Sequence, residues 1–190
     1  MTYRIGTNNE DYMAFHIEPK ELRARMGDDI KIHMGAEPDR YLPNWVKPDA
    51  AFYISDDYPS AIKIPDITIW GEFLALNDKA YQALATKLSD YGEFLPVNCE
   101  GNDYYIFNIL KIIDDMGGVD ESQSIKKEES GIFLGLEKLV FNESVAADLL
   151  IFRTAFDDHQ RIFCSDHFLQ LAEKSGLNGV TYKSDLEGLF

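Results

Sequence analysis

The sequence predicts an α+β domain, an antiparallel-rich mixed sheet with short helices packed on it. Three observations predict it. From Tyr91 to Leu110 two apolar runs, Phe94 to Cys99 and Tyr104 to Leu110, flank the turn formers Glu100-Gly101-Asn102-Asp103, which reads as a β-hairpin. In the second run Tyr104, Ile106, Asn108 and Leu110 point one way and Tyr105, Phe107 and Ile109 the other. Both sets are largely apolar, so this strand is expected in the middle of a sheet covered on both faces. Helical spacing is confined to short stretches of the remaining chain. Pro96 cannot donate to a ladder, which pushes the first strand of the hairpin towards an edge or a bulge.

Taken in order, Tyr3 to Ile5 and Met13 to Ile17 read as short strands. Pro19 opens a short helix through Met26, with Gly27 just past its end. Ile30 to Met34 alternates strictly and reads as a half-exposed strand. From Gly35 to Pro48 the chain is rich in breakers and reads as a surface connection pinned by Tyr41 and Trp45. Ala51 to Ser55 is a strand candidate before the acidic turn Asp56-Asp57-Tyr58-Pro59. Ile67 to Leu76 reads as one strand with a glycine kink at Gly71. Asn77 reads as the N-cap of a helix from Asp78 to about Ser89, with Tyr81, Leu84 and Leu88 on its apolar stripe.

Beyond the hairpin, Asp114 to Gly131 is polar and glycine-containing and reads as a flexible loop. Ile132 to Leu134, Leu139 to Phe141, Leu149 to Arg153 and Arg161 to Cys164 are strand candidates. Ser165 reads as the cap of a helix from Asp166 to about Ser175, Gly176 as its C′ residue, and Val180 to Tyr182 as a last strand. The chain divides as an N-terminal extension, residues 1–66, packed on the same core as a main domain over residues 67–190.

Chemistry is sparse. Neither phosphate-loop spacing occurs, so nothing predicts a nucleotide or another cofactor, and there is no G-x-S-x-G elbow or H-E-x-x-H pair. His159, Cys164 and His167 are the most tempting constellation, but a closed metal site needs four ligands and Cys99 is the only other thiol. No metal is therefore assigned. A Cys164–His167 nucleophile pair at a helix N-terminus has mechanistic logic, and a small enzyme built on it is the alternative function. A buried thiol ending a strand beside a partly exposed histidine is the simpler account. His16 and His33 are isolated.

The net charge of −15 over 190 residues does carry functional content. Such a surface repels nucleic acid and anionic lipid and steers a basic partner towards itself. The paired acids include Asp56-Asp57, Asp114-Asp115, Asp120-Glu121 and Asp157-Asp158, all on expected loops or element ends. Adjacent carboxylates do not converge on one substrate, so no catalytic residue is assigned to them. A solvated face explains most such pairs. Tyr58 and Phe156 beside two of them make an acidic protein-binding surface the sharper reading. Two cysteines make no disulfide framework, and MTYRIGTNNEDYM has neither a basic n-region nor an apolar h-region, so a cytoplasmic location is expected.

LNDKAYQAL (Leu76 to Leu84), GEFLPV (Gly92 to Val97), YYIFNIL (Tyr104 to Leu110), IFR (Ile151 to Arg153), IFCSDHF (Ile162 to Phe168) and SGLNGVTY (Ser175 to Tyr182), in that order and spacing, resemble a family of bacterial immunity proteins. It is the Imm11 or DUF1629-type family of polymorphic toxin systems, and the resemblance runs from about Ile67 to Tyr182. It implies a non-enzymatic antitoxin that binds a cognate toxin in the producing cell; the acidic balance adds the expectation of a basic toxin, a nuclease among the candidates, as partner. It carries over no catalytic residues. The toxin-binding candidates come from the acidic loops instead: Asp56, Asp57, Tyr58, Asp114, Asp115, Asp120, Glu121, Phe156, Asp157 and Asp158. A self-associating regulatory or structural protein is the remaining alternative.

Overall fold

The hairpin at the middle of the sequence lies at the middle of the larger of two main sheets. A computed structural model describes residues 1–27, 38–130 and 132–188. The strands are β1 (Thr2–Thr7), β2 (Ala14–His16), β3 (Asp49–Tyr53), β4 (Ile67–Trp70), β5 (Phe73–Asn77), β6 (Gly92–Cys99), β7 (Asn102–Ile109), β8 (Ile125–Glu129), β9 (Ile132–Lys138), β10 (Ile151–Phe152), β11 (Phe163–Ser165) and β12 (Val180–Lys183). The helices are α1 (Pro19–Met26), α2 (Asp78–Leu88), α3 (Glu143–Ala146) and α4 (Asp166–Lys174). A six-stranded sheet runs β2-β3-β6-β7-β5-β4, a four-stranded sheet β10-β11-β1-β12, and β8-β9 stand as a pair. Only the β3–β6 pairing is parallel among these. This is the α+β, antiparallel-rich architecture the sequence predicts. The strand expected from Ile30 to Met34, and His33 with it, lie outside the described residues.

β6 and β7 pair without a break from Gly92↔Ile109 to Cys99↔Asn102. The turn is tighter than the four-residue cluster suggested. Glu100 (φ 52°) and Gly101 (φ 86°) alone form it, both in the left-handed region that a two-residue hairpin needs. β7 has neighbours on both sides and buries both its faces: Phe107 and Ile109 join α2, α4 and the four-stranded sheet in one core, while Tyr104 and Ile106 join Phe15, Phe52 and Leu95 in a second. Pro96 neither ends the sheet nor makes a bulge. Its carbonyl accepts the Trp45 indole N–H at 2.8 Å, so its nitrogen also points away from β7 and no ladder bond is lost. β3 reaches β6 only at Asn98 and Cys99, which leaves Pro96 on a locally open edge that Trp45 covers.

The single kinked strand expected from Ile67 to Leu76 is instead a hairpin. Gly71 (φ 60°) and Glu72 reverse the chain, and β4 and β5 pair from Trp70↔Phe73 to Ile67↔Leu76. β5 is buried from Phe73 to Leu76, so no polar alternation marked the turn. α2 begins as its cap predicts, the Asn77 carboxamide accepting the Ala80 amide at 2.9 Å. It buries Ala80, Leu84 and Leu88, and Tyr81 stacks on Tyr105 with ring centroids 3.7 Å apart.

The segment read as a flexible loop also folds. Asp114–Met116 is a 3₁₀ turn, Asp120 accepts the Ser122 and Gln123 side chains, and β8 pairs with β9. Leu139 to Phe141 is not a strand: Phe141 makes one bridge to Val119 and otherwise packs in a third core with Phe152 and Phe163. α3, capped by Asn142 through the Ser144 amide, is too short to have left a helical period. Ser165 sits at the N-cap of α4, but its hydroxyl caps nothing. Among the described residues no helix is long and apolar enough to cross a membrane.

Candidate functional site

The acidic candidates do not form one patch. Asp56, Asp57 and Tyr58 are exposed on the connection from β3 to β4, in a tight turn closed by the Tyr58 amide on the Ser55 carbonyl at 3.0 Å. That connection is stitched to the N-terminal segment, where Met13 donates to the Lys63 carbonyl. Asp114 and Asp115 lie elsewhere, beside the turn that carries Phe156. The Asp114 carboxylate accepts the Ala155 amide at 2.9 Å, and the Ile113 amide donates to the Arg153 carbonyl at 3.0 Å. Asp120 and Glu121 follow on the same excursion, joined to the body by the Asp120 amide on the Val140 carbonyl at 2.8 Å. Together with Phe141 and Glu143 they line an open depression of about 500 Å³.

The turn from Arg153 to Arg161 is held from below by charge. Arg153 is fully buried and its guanidinium donates to the His159 carbonyl, which closes the loop on itself. Burial lowers the pKa of Arg153, while Glu72 and Asp157 act the other way. Burial likewise raises the Glu72 pKa against the pull of Arg153, so the β4–β5 turn and this loop are electrostatically coupled. Asp158 (φ 53°) and His159 (φ 58°) take left-handed conformations in succession. The result is a closed turn with Phe156 half-buried on it, under the Lys126 ammonium at 4.9 Å.

Asp157 is not available to a partner. It has no exposed surface and pairs with the buried Arg161 at 3.3 Å, so of the adjacent acids Asp157 and Asp158 only the second reaches solvent. Burial pushes the Asp157 carboxyl up to about 6, with Arg161 opposing. Arg161 in turn holds the C-terminal segment, donating to the carbonyls of Glu187 and Gly188. No sequence pattern pointed to Glu72, Arg153 and Arg161 as buried charges; an arginine closing the apolar run IFR was the one visible hint.

The fold does not assemble the thiol site. Cys164 is fully buried in the core with Ile5 and Phe168, and burial pushes its pKa strongly upward, opposite to the shift an attacking thiolate requires. His167 is exposed and His159 lies in the Arg153 turn. Burial also raises Cys99, to about 11. Among the described residues no three His, Cys, Asp or Glu side chains are placed to hold a metal ion.

Comparison with known proteins bears on the surface that remains. The model of the Imm11 immunity protein family matches residues 94–185. Over these residues the chain is similar to Imm11 immunity proteins. The match starts within β6, where the resemblance seen in the sequence began at Ile67, and it takes in the acidic excursion, the β8–β9 pair and the Arg153 turn. The match supports an immunity role, and binding a toxin is the usual function of Imm11 proteins. Asp56, Asp57 and Tyr58 fall outside the matched region. No curated protein matches the chain.

Proposed function

We propose that this chain binds a cognate toxin and blocks its working cleft, protecting the cell that produces both, and that it performs no reaction itself. The observation that carries the reading is the Imm11 match over residues 94–185. The buried Cys164, whose pKa moves away from reactivity, supports a binding role over the thiol chemistry the sequence left open. The partner is a basic toxin, of the kind whose cleft holds a nucleic acid, as a nuclease does. The net charge of −15 would draw such a surface in at long range, and contact would then fall to the acids that reach solvent around Phe156: Asp114, Asp115, Asp120, Glu121 and Asp158. Asp56, Asp57 and Tyr58 form a separate contact. The encounter takes place in the cytoplasm.

Residues 67–190 act as the immunity unit and residues 1–66 as an extension built into its core, with β1 lying between β11 and β12. Co-expression tests the reading. Cells expressing the toxic reading frame beside this gene should survive when this chain is made at near-equal levels. Death at equal expression would overturn the proposal.

A further inference from the structure

After β12 the chain crosses back over two buried arginines. Residues 185–188 take no regular structure and lie at the surface, Asp185 exposed and Leu186, Glu187 and Gly188 half-buried. Side-chain contacts hold them to three places. Arg4 Nε, on β1, donates to the Asp185 carbonyl at 3.1 Å, and Arg161 Nε and Nη2 donate to the carbonyls of Gly188 and Glu187 at 3.0 and 3.1 Å. The Glu187 carboxylate accepts the Leu139 amide, at the exit of β9, at 2.8 Å, and Leu186 packs into the third core. The Asp185 carboxylate folds back onto the Glu187 and Gly188 amides at 3.1 and 3.0 Å, which shapes the segment to present its carbonyls. Gly188 allows the close approach: a Cβ there would lie 2.5 Å from the Arg4 guanidinium and 2.8 Å from the Asp185 carboxylate.

Arg161 is the joint. Its guanidinium, only 6% exposed, directs Nε and Nη2 to this segment and Nη1 to the Asp157 carboxylate at 3.3 Å. Asp157 has no exposed surface, and its Oδ1 is left without a hydrogen-bond partner, so Arg161 is the cation in direct contact with it. If the segment lifts, two N–H groups of a buried guanidinium lose their acceptors, and the guanidinium regains acceptors by turning to solvent. Asp157 then loses its cation, and a buried carboxylate without one draws the turn open towards water. A surface segment held by side chains, with no ladder of its own, is where local opening costs least. We propose that residues 185–188 are a releasable clasp that sets the state of the Arg153 turn. Closed, the clasp holds Arg161 on Asp157 and fixes the turn. Open, it frees Arg161 and loosens both the turn and the exit of β9. The turn carries Phe156 and Asp158, so the clasp decides whether that surface is ordered. The inference stands independently of the toxin reading above.

Hydrogen–deuterium exchange of the full chain tests this at three places. They are the Glu187 and Gly188 amides of the clasp, the Asp158 and His159 amides that bond to the Ala155 and Thr154 carbonyls within the turn, and the Leu139 amide. Gly188→Val cannot sit against Arg4 and should speed exchange at all three by ~10-fold or more, while the β6–β7 ladder stays within about 2-fold of the parent. Glu187→Ala removes one hold and should speed all three by several-fold. Glu187→Gln, whose carboxamide oxygen still accepts the Leu139 amide, should return them close to the parent rates. If Gly188→Val unfolds the whole chain, the two Glu187 variants carry the test. Clasp amides that open while the Asp158 and His159 amides keep the parent rate would overturn the proposal. So would clasp amides that exchange no faster in Gly188→Val and Glu187→Ala than in the parent.

Discussion

The carboxylate of Asp114 accepts the backbone amide of Ala155 at 2.9 Å. Two segments 41 residues apart are thereby joined, the acidic excursion and the turn that displays Phe156. Asp114 is thus a structural residue as well as a surface charge. Asp114→Ala leaves the Ala155 amide without its acceptor and should cost about 1 kcal/mol, lowering the melting temperature by roughly 2–4 °C. Thermal unfolding followed by circular dichroism measures this. An unchanged midpoint would mean that the bond contributes nothing.

Asp115 and Glu121 are exposed on the same excursion and carry their charge to solvent. Asp115→Lys with Glu121→Lys should leave stability unchanged and slow association with a basic toxin by several-fold at low salt. The difference should vanish near ~0.5 M salt, where charges beyond a few ångströms are screened. Stopped-flow association rates at several salt concentrations report both. Equal rates for the two proteins at low salt would remove this loop from the steering surface.

Asp157 makes a pH prediction of unusual sign. Its carboxyl stands at about 6 in the folded chain against an ordinary 3.8, because burial outweighs the nearby Arg161. Between those values the folded state holds the proton more tightly than the unfolded state does. The contribution of Asp157 to stability is therefore greatest below about pH 4, declines as the pH rises to about 6 and is flat beyond. Other carboxylates drive the total the opposite way, so the measurement is a difference. Denaturant titrations of the parent chain and of Asp157→Asn should converge or diverge by roughly 2 kcal/mol between pH 4 and pH 7, the parent losing ground as pH rises. Parallel pH profiles would contradict it.

Gly92 opens β6 where it faces Ile109 of β7, and a Cβ built there would lie 2.0 Å from the Asn108 carbonyl oxygen and 3.0 Å from the Phe107 ring. Backbone cannot yield as a side chain can. Gly92→Ala should therefore destabilise the chain by about 3 kcal/mol or more, with the loss seen in urea unfolding. Wild-type stability in this variant would show that the strands separate without cost.

These residues also mark how far the sequence could be read. Elements that alternate or carry a cap were visible: β7 through its two apolar faces, α2 through Asn77, α1 through Pro19 and Gly27. The β4–β5 turn was hidden because β5 is buried on both faces, so the pair Gly71-Glu72 is followed directly by apolar residues with no polar alternation. β8 was hidden for the opposite reason. Its sequence, IKKEE, owes its strand form to the ladder with β9 and to Lys126 lying on two rings, and neither leaves a hydrophobic period. For the surface, charge identified the acidic excursion but could not distinguish Asp157, folded inward on Arg161, from its neighbour Asp158. That distinction is made by two successive left-handed residues and two buried arginines, contacts between positions that no local pattern connects.

The central claim, stoichiometric blockade without chemistry, is tested most directly by titrating the activity of the purified neighbouring toxin domain with this chain, at a toxin concentration well above the dissociation constant. The account predicts a linear fall to zero at one chain per toxin, with activity restored when the complex is dissociated. Full inactivation by a small fraction of an equivalent, increasing with time, would show a catalyst at work and contradict it.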